Sequence, residues 1–203
     1  MQQSNQTPDV QIDHVDLDSL THHTELPETR LSVWLDSLLC KIGQAISWTW
    51  IVLMSVIILN VFMRYILGEG RIEFEELQWH LYATGWLIGL SYCFVADDHV
   101  RVDLLHHRFS LRTQAWVELL GILFLLVPFI GIVLWYALPF IAYSWQLGEI
   151  SGDPGGLPYR WMIKAVLLFG FMLLALATLS RLSRVCVLLF LPRSMTNTAP
   201  ATA

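Results

Sequence analysis

From Ile42 to Leu67 the chain reads IGQAISWTWIVLMSVIILNVFMRYIL. Its centre, Ile51–Met63, is interrupted only by Ser55 and Asn60, and Arg64 marks its far end. A helix crossing a bilayer core of about 30 Å needs roughly 20 predominantly apolar residues, and this run supplies them. Three more apolar runs follow, at about Phe74–Ala96, Thr113–Leu147 and Trp161–Leu191. The expected fold is an all-α membrane protein with four transmembrane helices.

Composition agrees. Of 203 residues, 55% are hydrophobic and only 14% charged, whereas a soluble domain carries roughly a quarter charged residues. Mean hydropathy is +0.55. Net charge of −5 argues against a phosphate-binding surface and so against a nucleic-acid partner. The charge sits at one end: Asp9, Asp13, Asp16, Asp18, Glu25 and Glu28 face only Arg30, and the rest of the chain is neutral. Residues 1–30 are expected to be an acidic, disordered cytoplasmic tail. They lack the basic start and early apolar run of a signal peptide. The membrane domain is expected at 31–192, with a flexible tail at 193–203.

Between the spans the pattern changes. Leu31, Trp34, Leu35, Leu38 and Leu39 recur at helical spacing, so 31–41 reads as an amphipathic interfacial helix or an extension of the first span. A second interfacial helix is expected at 103–111, with Asp103 as its N-cap. The third run would be about 50 Å long if fully helical. It must tilt, kink or project, and Pro128 and Pro139 are the expected kink points. Trp48, Trp79, Trp116, Trp145 and Trp161 fall near span ends, where an amphipathic ring suits the interface, whereas Trp86 and Trp135 read as packing residues. Arg181 and Arg184 share a face near the last span's end and are expected to snorkel to the headgroups. With both termini cytoplasmic, eight basic residues lie inside and four outside, which favours that orientation.

The chemistry of the chain is sparse. It has no Gly-Lys pair for a P-loop, no GxSxG and no HExxH. Cys40, Cys93 and Cys186 are isolated, with no CxxC. No enzyme activity, cofactor or metal is expected. A haem- or quinone-binding anchor is a rival reading, but His80 and His99 lie roughly 28 Å apart along a helix and no other span holds a histidine. A stand-alone channel is a second rival. Against it, Arg64, Glu75, Glu76, Glu118, Lys164 and Arg181 all lie towards span ends, whereas an ion pathway usually leaves a charge at mid-depth. Gly85 and Gly89 form a GxxxG that can bring two helices close.

Two polar clusters bracket the second run: Glu73, Glu75, Glu76 and His80 with Arg64 and Arg71 at its outer end, and His99, Arg101 and Asp103 beyond its inner end. The order of these features carries a resemblance. Arg64-Tyr65 ends the first span, Glu75-Glu76-Leu77 opens the second, and Gly89 precedes His99-Val100-x-Val102-Asp103 by ten residues. This pattern, over about residues 40–190, resembles the small membrane subunit of TRAP (tripartite ATP-independent periplasmic) transporters, the DctQ-like family. Two features depart from it: the acidic tail, and Asp97-Asp98 where a more basic or glycine-containing stretch is expected.

The resemblance implies a division of labour. A periplasmic binding protein captures an organic acid, and a large multi-span subunit carries it by a sodium-driven elevator movement. The small subunit is a non-transporting scaffold in the bacterial inner membrane, embedded in lipid. Arg64, Tyr65, Glu75, Glu76, Gly85, Gly89, His99, Arg101 and Asp103 are then the candidate partner-contact or structural residues. The loop Gly152, Asp153, Pro154, Gly155, Gly156, Leu157 and Pro158 is a candidate docking surface for the binding protein, as is Gly68–Glu73. The same loop resembles the branch associated with monocarboxylates and 2-oxo acids.

Overall fold

A computed structural model of the chain describes residues 27, 29–97 and 110–190. The tail to residue 26, the stretch with His99, Arg101 and Asp103, nearly all of the interfacial helix expected at 103–111, and the tail at 193–203 lie outside the described residues. The elements are α1 (Arg30–Ile66), α2 (Ile72–Ala96), α3 (Leu111–Gly121), a π-helical turn (Ile122–Leu126), α4 (Val127–Gln146) and α5 (Trp161–Phe190). The described chain is helices and connecting loops.

Three helical stretches are long and apolar enough to cross a membrane: α1, Arg112–Gln146 and α5. The sequence counted four. Helix α2 has the length, 25 residues, but Glu73, Glu75, Glu76, Gln78 and His80 make its first half too polar to join the other three.

α1 begins with a capping box: Ser32 N donates to Thr29 Oγ1 and Thr29 N donates to Ser32 Oγ, both at 3.0 Å. It then runs unbroken for 37 residues, about 55 Å. The interfacial helix expected at 31–41 is therefore not a separate element. Nothing between Leu38 and Ile46 breaks a helix, and Leu35 and Leu39 are buried in the bundle rather than laid on a surface. α4 ends in a Schellman motif: Gly148 N donates to Trp145 O and Glu149 N to Ser144 O, each at 3.1 Å, with Gly148 at φ +56°.

The third run changes from α to π geometry for one turn just before Pro128. Proline cannot donate to the carbonyl four residues back, and its ring crowds that carbonyl. The preceding turn widens, with Val127 N bonding to Ile122 O five residues back. Pro139 lies within α4.

α5 is the central post and packs on every other helix. Leu39 of α1, Ile88 of α2 and Leu173 and Ala177 of α5 form one core cluster; Ile130, Phe171 and Leu174 form a second; Ala115 and Val185 close the inner end. A close backbone approach occurs at Gly170, where a Cβ would stand 3.0 Å from Leu87 O. Gly85 and Gly89 do not serve that purpose. A Cβ at Gly85 would meet the Trp50 ring at 3.3 Å, and one at Gly89 would meet nothing within 4 Å. Nor are Trp86 and Trp135 packing residues: they are 56% and 76% exposed on the outside of the bundle.

Candidate functional site

Two groups of polar side chains tie the helices together, one at each end. At the end that holds the α1–α2 and α4–α5 loops, named the outer end, the two adjacent glutamates of α2 have different tasks. Glu75 pairs with Arg64, fastening the start of α2 to the last turn of α1. Glu76 turns to the loop between α4 and α5: Oε1 accepts from Ser151 Oγ, and Oε2 accepts from Leu157 N at 2.5 Å. The loop closes on itself through Ser151 N to Leu157 O, 3.3 Å, and Gly156 N to Asp153 O, 3.0 Å. Gly156 must lack a side chain, because a Cβ would overlap Ser151 and come within 3.0 Å of Glu76 Oε1.

Glu149 continues the group by pairing with Lys164, whose ammonium also lies 4.0 Å from the Phe140 ring centre. The hydrogen bond from Lys164 holds the Glu149 carboxyl below the usual carboxylate range, with the Arg160 charge adding to it. Of the outer candidates, Arg64, Glu75 and Glu76 are thus brought into contact with a partner, and Gly156 and Leu157 join Glu76. Tyr65 is 81% exposed. His80 Nδ1 stays on its own helix, 2.5 Å from Glu76 O.

At the inner end the organising residue is Arg181. Its Nε donates to Glu118 of α3, and its Nη2 lies 3.2 Å from Asp97 Oδ1 at the C-cap of α2. One turn on, Arg184 pairs with Asp36 of α1, whose other oxygen accepts from Ser180 Oγ at 2.6 Å. Thr29 and Ser183 hydroxyls meet at 3.0 Å. The snorkelling expected of Arg181 is corrected: its side chain is 8% exposed and points into the bundle. Glu118 of α3 and Asp97 at the end of α2 draw it inward, since a guanidinium paired with two carboxylates has no need of a headgroup.

Sequence reading missed Asp36, Asp97, Ser151 and Ser180. The available signal was scarcity: in a chain this apolar, an acid on an otherwise apolar segment implies a basic partner at the same depth. Asp97 adopts φ +61°, a left-handed conformation that glycine takes most easily. A glycine-containing stretch was expected there, and here the aspartate contributes a carboxylate to Arg181 instead. Among the described residues, no group of three or more His, Cys, Asp or Glu side chains could hold a metal.

The model of the family described as tripartite ATP-independent periplasmic transporters, DctQ component, matches residues 53–187. The chain belongs to the DctQ family. The match begins in α1, ends in α5 and takes in all of the outer group and the Arg181–Glu118–Asp97 group. No curated protein and no solved structure matches the chain. As a DctQ component, the protein is a membrane-embedded part of a three-component transporter, associated with a large membrane subunit and a substrate-binding protein.

Proposed function

We propose that this DctQ chain is the small, non-transporting scaffold subunit of a sodium-driven TRAP transporter for organic acids in the bacterial inner membrane. It gives the large elevator-type subunit a fixed wall to move against and presents its outer loop to the periplasmic binding protein. The loop Gly152–Pro158 favours monocarboxylates or 2-oxo acids as cargo. Both termini lie in the cytoplasm.

The observation that carries this reading is the spacing of the two polar groups. Glu76 and Asp97 stand at opposite ends of α2, about 32 Å apart at 1.5 Å per residue, one bilayer core. Lys164 and Arg181 bracket α5 by about 26 Å. No Asp, Glu, Lys or Arg stands between Lys41 and Arg64, between Glu76 and Asp97, between Glu118 and Glu149, or between Lys164 and Arg181. We therefore read α2 as a fourth span, its polarity confined to one end. A bundle fastened at both faces and uncharged between them is built to stay rigid. It offers no relay of ionisable groups for carrying an ion itself.

The test is to tag the chain, co-express it with its neighbouring genes, extract in mild detergent and identify what co-purifies. A larger multi-span protein in stoichiometric amount is expected, with sodium-dependent uptake that disappears when the small subunit is omitted. A chain that purifies alone and moves solute by itself in liposomes would replace the scaffold with a channel.

A further inference from the structure

Helix α2 is not among the three helical stretches that are long and apolar enough to cross a membrane. Trp79, Tyr82 and Trp86 are exposed and share one stripe of it, at positions i, i+3 and i+7. Trp86 is ten residues from Glu76 and eleven from Asp97, about 15 Å from each polar end and so near mid-membrane. Tryptophan favours the headgroup interface. At mid-depth, acyl chains offer its indole N–H no acceptor.

Beside this stripe α1 and α2 leave a cleft of about 240 Å³. Gly85 and Gly89 form its floor, Trp50 and Tyr92 stand at its sides, and Gln44 and Ser47 add polar atoms. The space above Gly89 is open. Open space over glycine lets a second helix come close, and an adjoining helix can accept a hydrogen bond from the exposed Trp86 indole. An exposed indole at mid-depth beside an open glycine cleft favours a protein helix over lipid.

We infer that the outward face of α2, with the cleft it shares with α1, is where the large membrane subunit packs, one of its helices filling the cleft. The inference rests on the scaffold reading and adds the surface to it. The rival face is α4, where Trp135 is exposed near mid-depth. But α4 belongs to the most apolar stretch, mean hydropathy 2.7. Its own cleft with α5, about 370 Å³ between Val127, Gly131, Ala175 and Leu179, has an almost wholly apolar lining that suits an acyl chain.

The test uses the full complex. A benzophenone side chain is placed at position 86 or at position 135 and illuminated in the membrane. Cross-linking to the large subunit from 86, and to lipid alone from 135, is expected. In parallel, Gly89→Leu should lower the large subunit recovered per small subunit by roughly tenfold. Gly131→Leu should leave recovery unchanged, with both variants matching the parent in helicity and melting temperature. An intact complex that cross-links from 135 and not from 86, or from neither, overturns the surface and leaves the scaffold reading standing. A wild-type chain that recovers no large subunit overturns the scaffold reading itself.

Discussion

The backbone N–H of Leu157 donates to the Glu76 carboxylate at 2.5 Å, joining the second helix to a loop 81 residues further along the chain. With Ser151 on the other oxygen, one side chain sets the shape of the outer loop. Glu76→Ala should free that loop without unfolding the bundle. Limited proteolysis of the purified complex should cut between Ser151 and Pro158 at least several-fold faster, with unchanged helicity and reduced uptake. Unchanged cleavage would show that the loop holds its shape without Glu76.

Charge at position 75 should behave differently. Glu75→Lys sets two cations together where Arg64 now pairs, and the double variant Arg64→Glu, Glu75→Lys restores the pair in reverse. The single change should lower complex yield and the double change should recover it. The pair is half-exposed and its contribution small, so the expected loss is partial.

Arg181 should be the most sensitive charged position. Arg181→Met leaves Glu118 and Asp97 together in a nearly dry setting. Losing one partner of a buried ion group costs about 3–5 kcal/mol. A large fall in melting temperature in detergent is expected, partly reversed by adding Glu118→Gln and Asp97→Asn. If Arg181→Met melted like the parent, the inner group would not be holding the helices.

Small-residue packing gives a ranking. Gly170→Val drives a branched side chain against the Leu87 carbonyl and should destabilise by about 1–3 kcal/mol. Gly85→Leu should cost less, because the obstacle is the Trp50 ring, whose face is half-exposed and can swing away. Melting temperatures of the two variants test the order.

The Glu149–Lys164 pair fixes a direction in pH. The Glu149 carboxyl is held below its ordinary range by Lys164. Its contribution to stability is therefore complete above the unfolded value, about pH 4.3. It is lost as pH falls through the lower folded value. Wild type should melt above Glu149→Gln near neutral pH, and the gap should close in acid. A gap that persisted in acid would trace the effect to packing rather than charge.

Much of this architecture was legible in the sequence. The run Ile51–Met63 announced a span, the Gly and Pro residues of 148–158 announced a loop, and Pro128 marked an irregularity that takes the form of a π turn. What stayed hidden depends on partners distant along the chain. Asp36 and Arg184 are 148 residues apart, and no local period relates them. Glu75 and Glu76 look alike in sequence; only their 100° separation around α2 sends one to α1 and the other to the loop. The boundary at Lys41 failed because amphipathicity alone does not end a helix, and α1 has no breaker there. Within the chain the GxxxG brings no second backbone close, because close approach depends on which face a glycine occupies. Gly170, outside any motif, occupies the right one.

The π turn has a consequence for counting. On the third run the buried positions are Ala115, Ile122, Ile130, Ala137 and Ser144, with intervals of seven, eight, seven and seven. The interval of eight spans Ile122–Leu126. Seven residues fall about 20° short of two full α-helical turns, so a strict seven-residue stripe drifts around a straight helix. The extra residue resets the phase midway. Ala115 can then face Val185 of α5 at one end while Ser144 faces Glu149 at the other. Remove any one residue from Ile122–Leu126 and the upstream turns rotate by about 100°, carrying Glu118 away from Arg181.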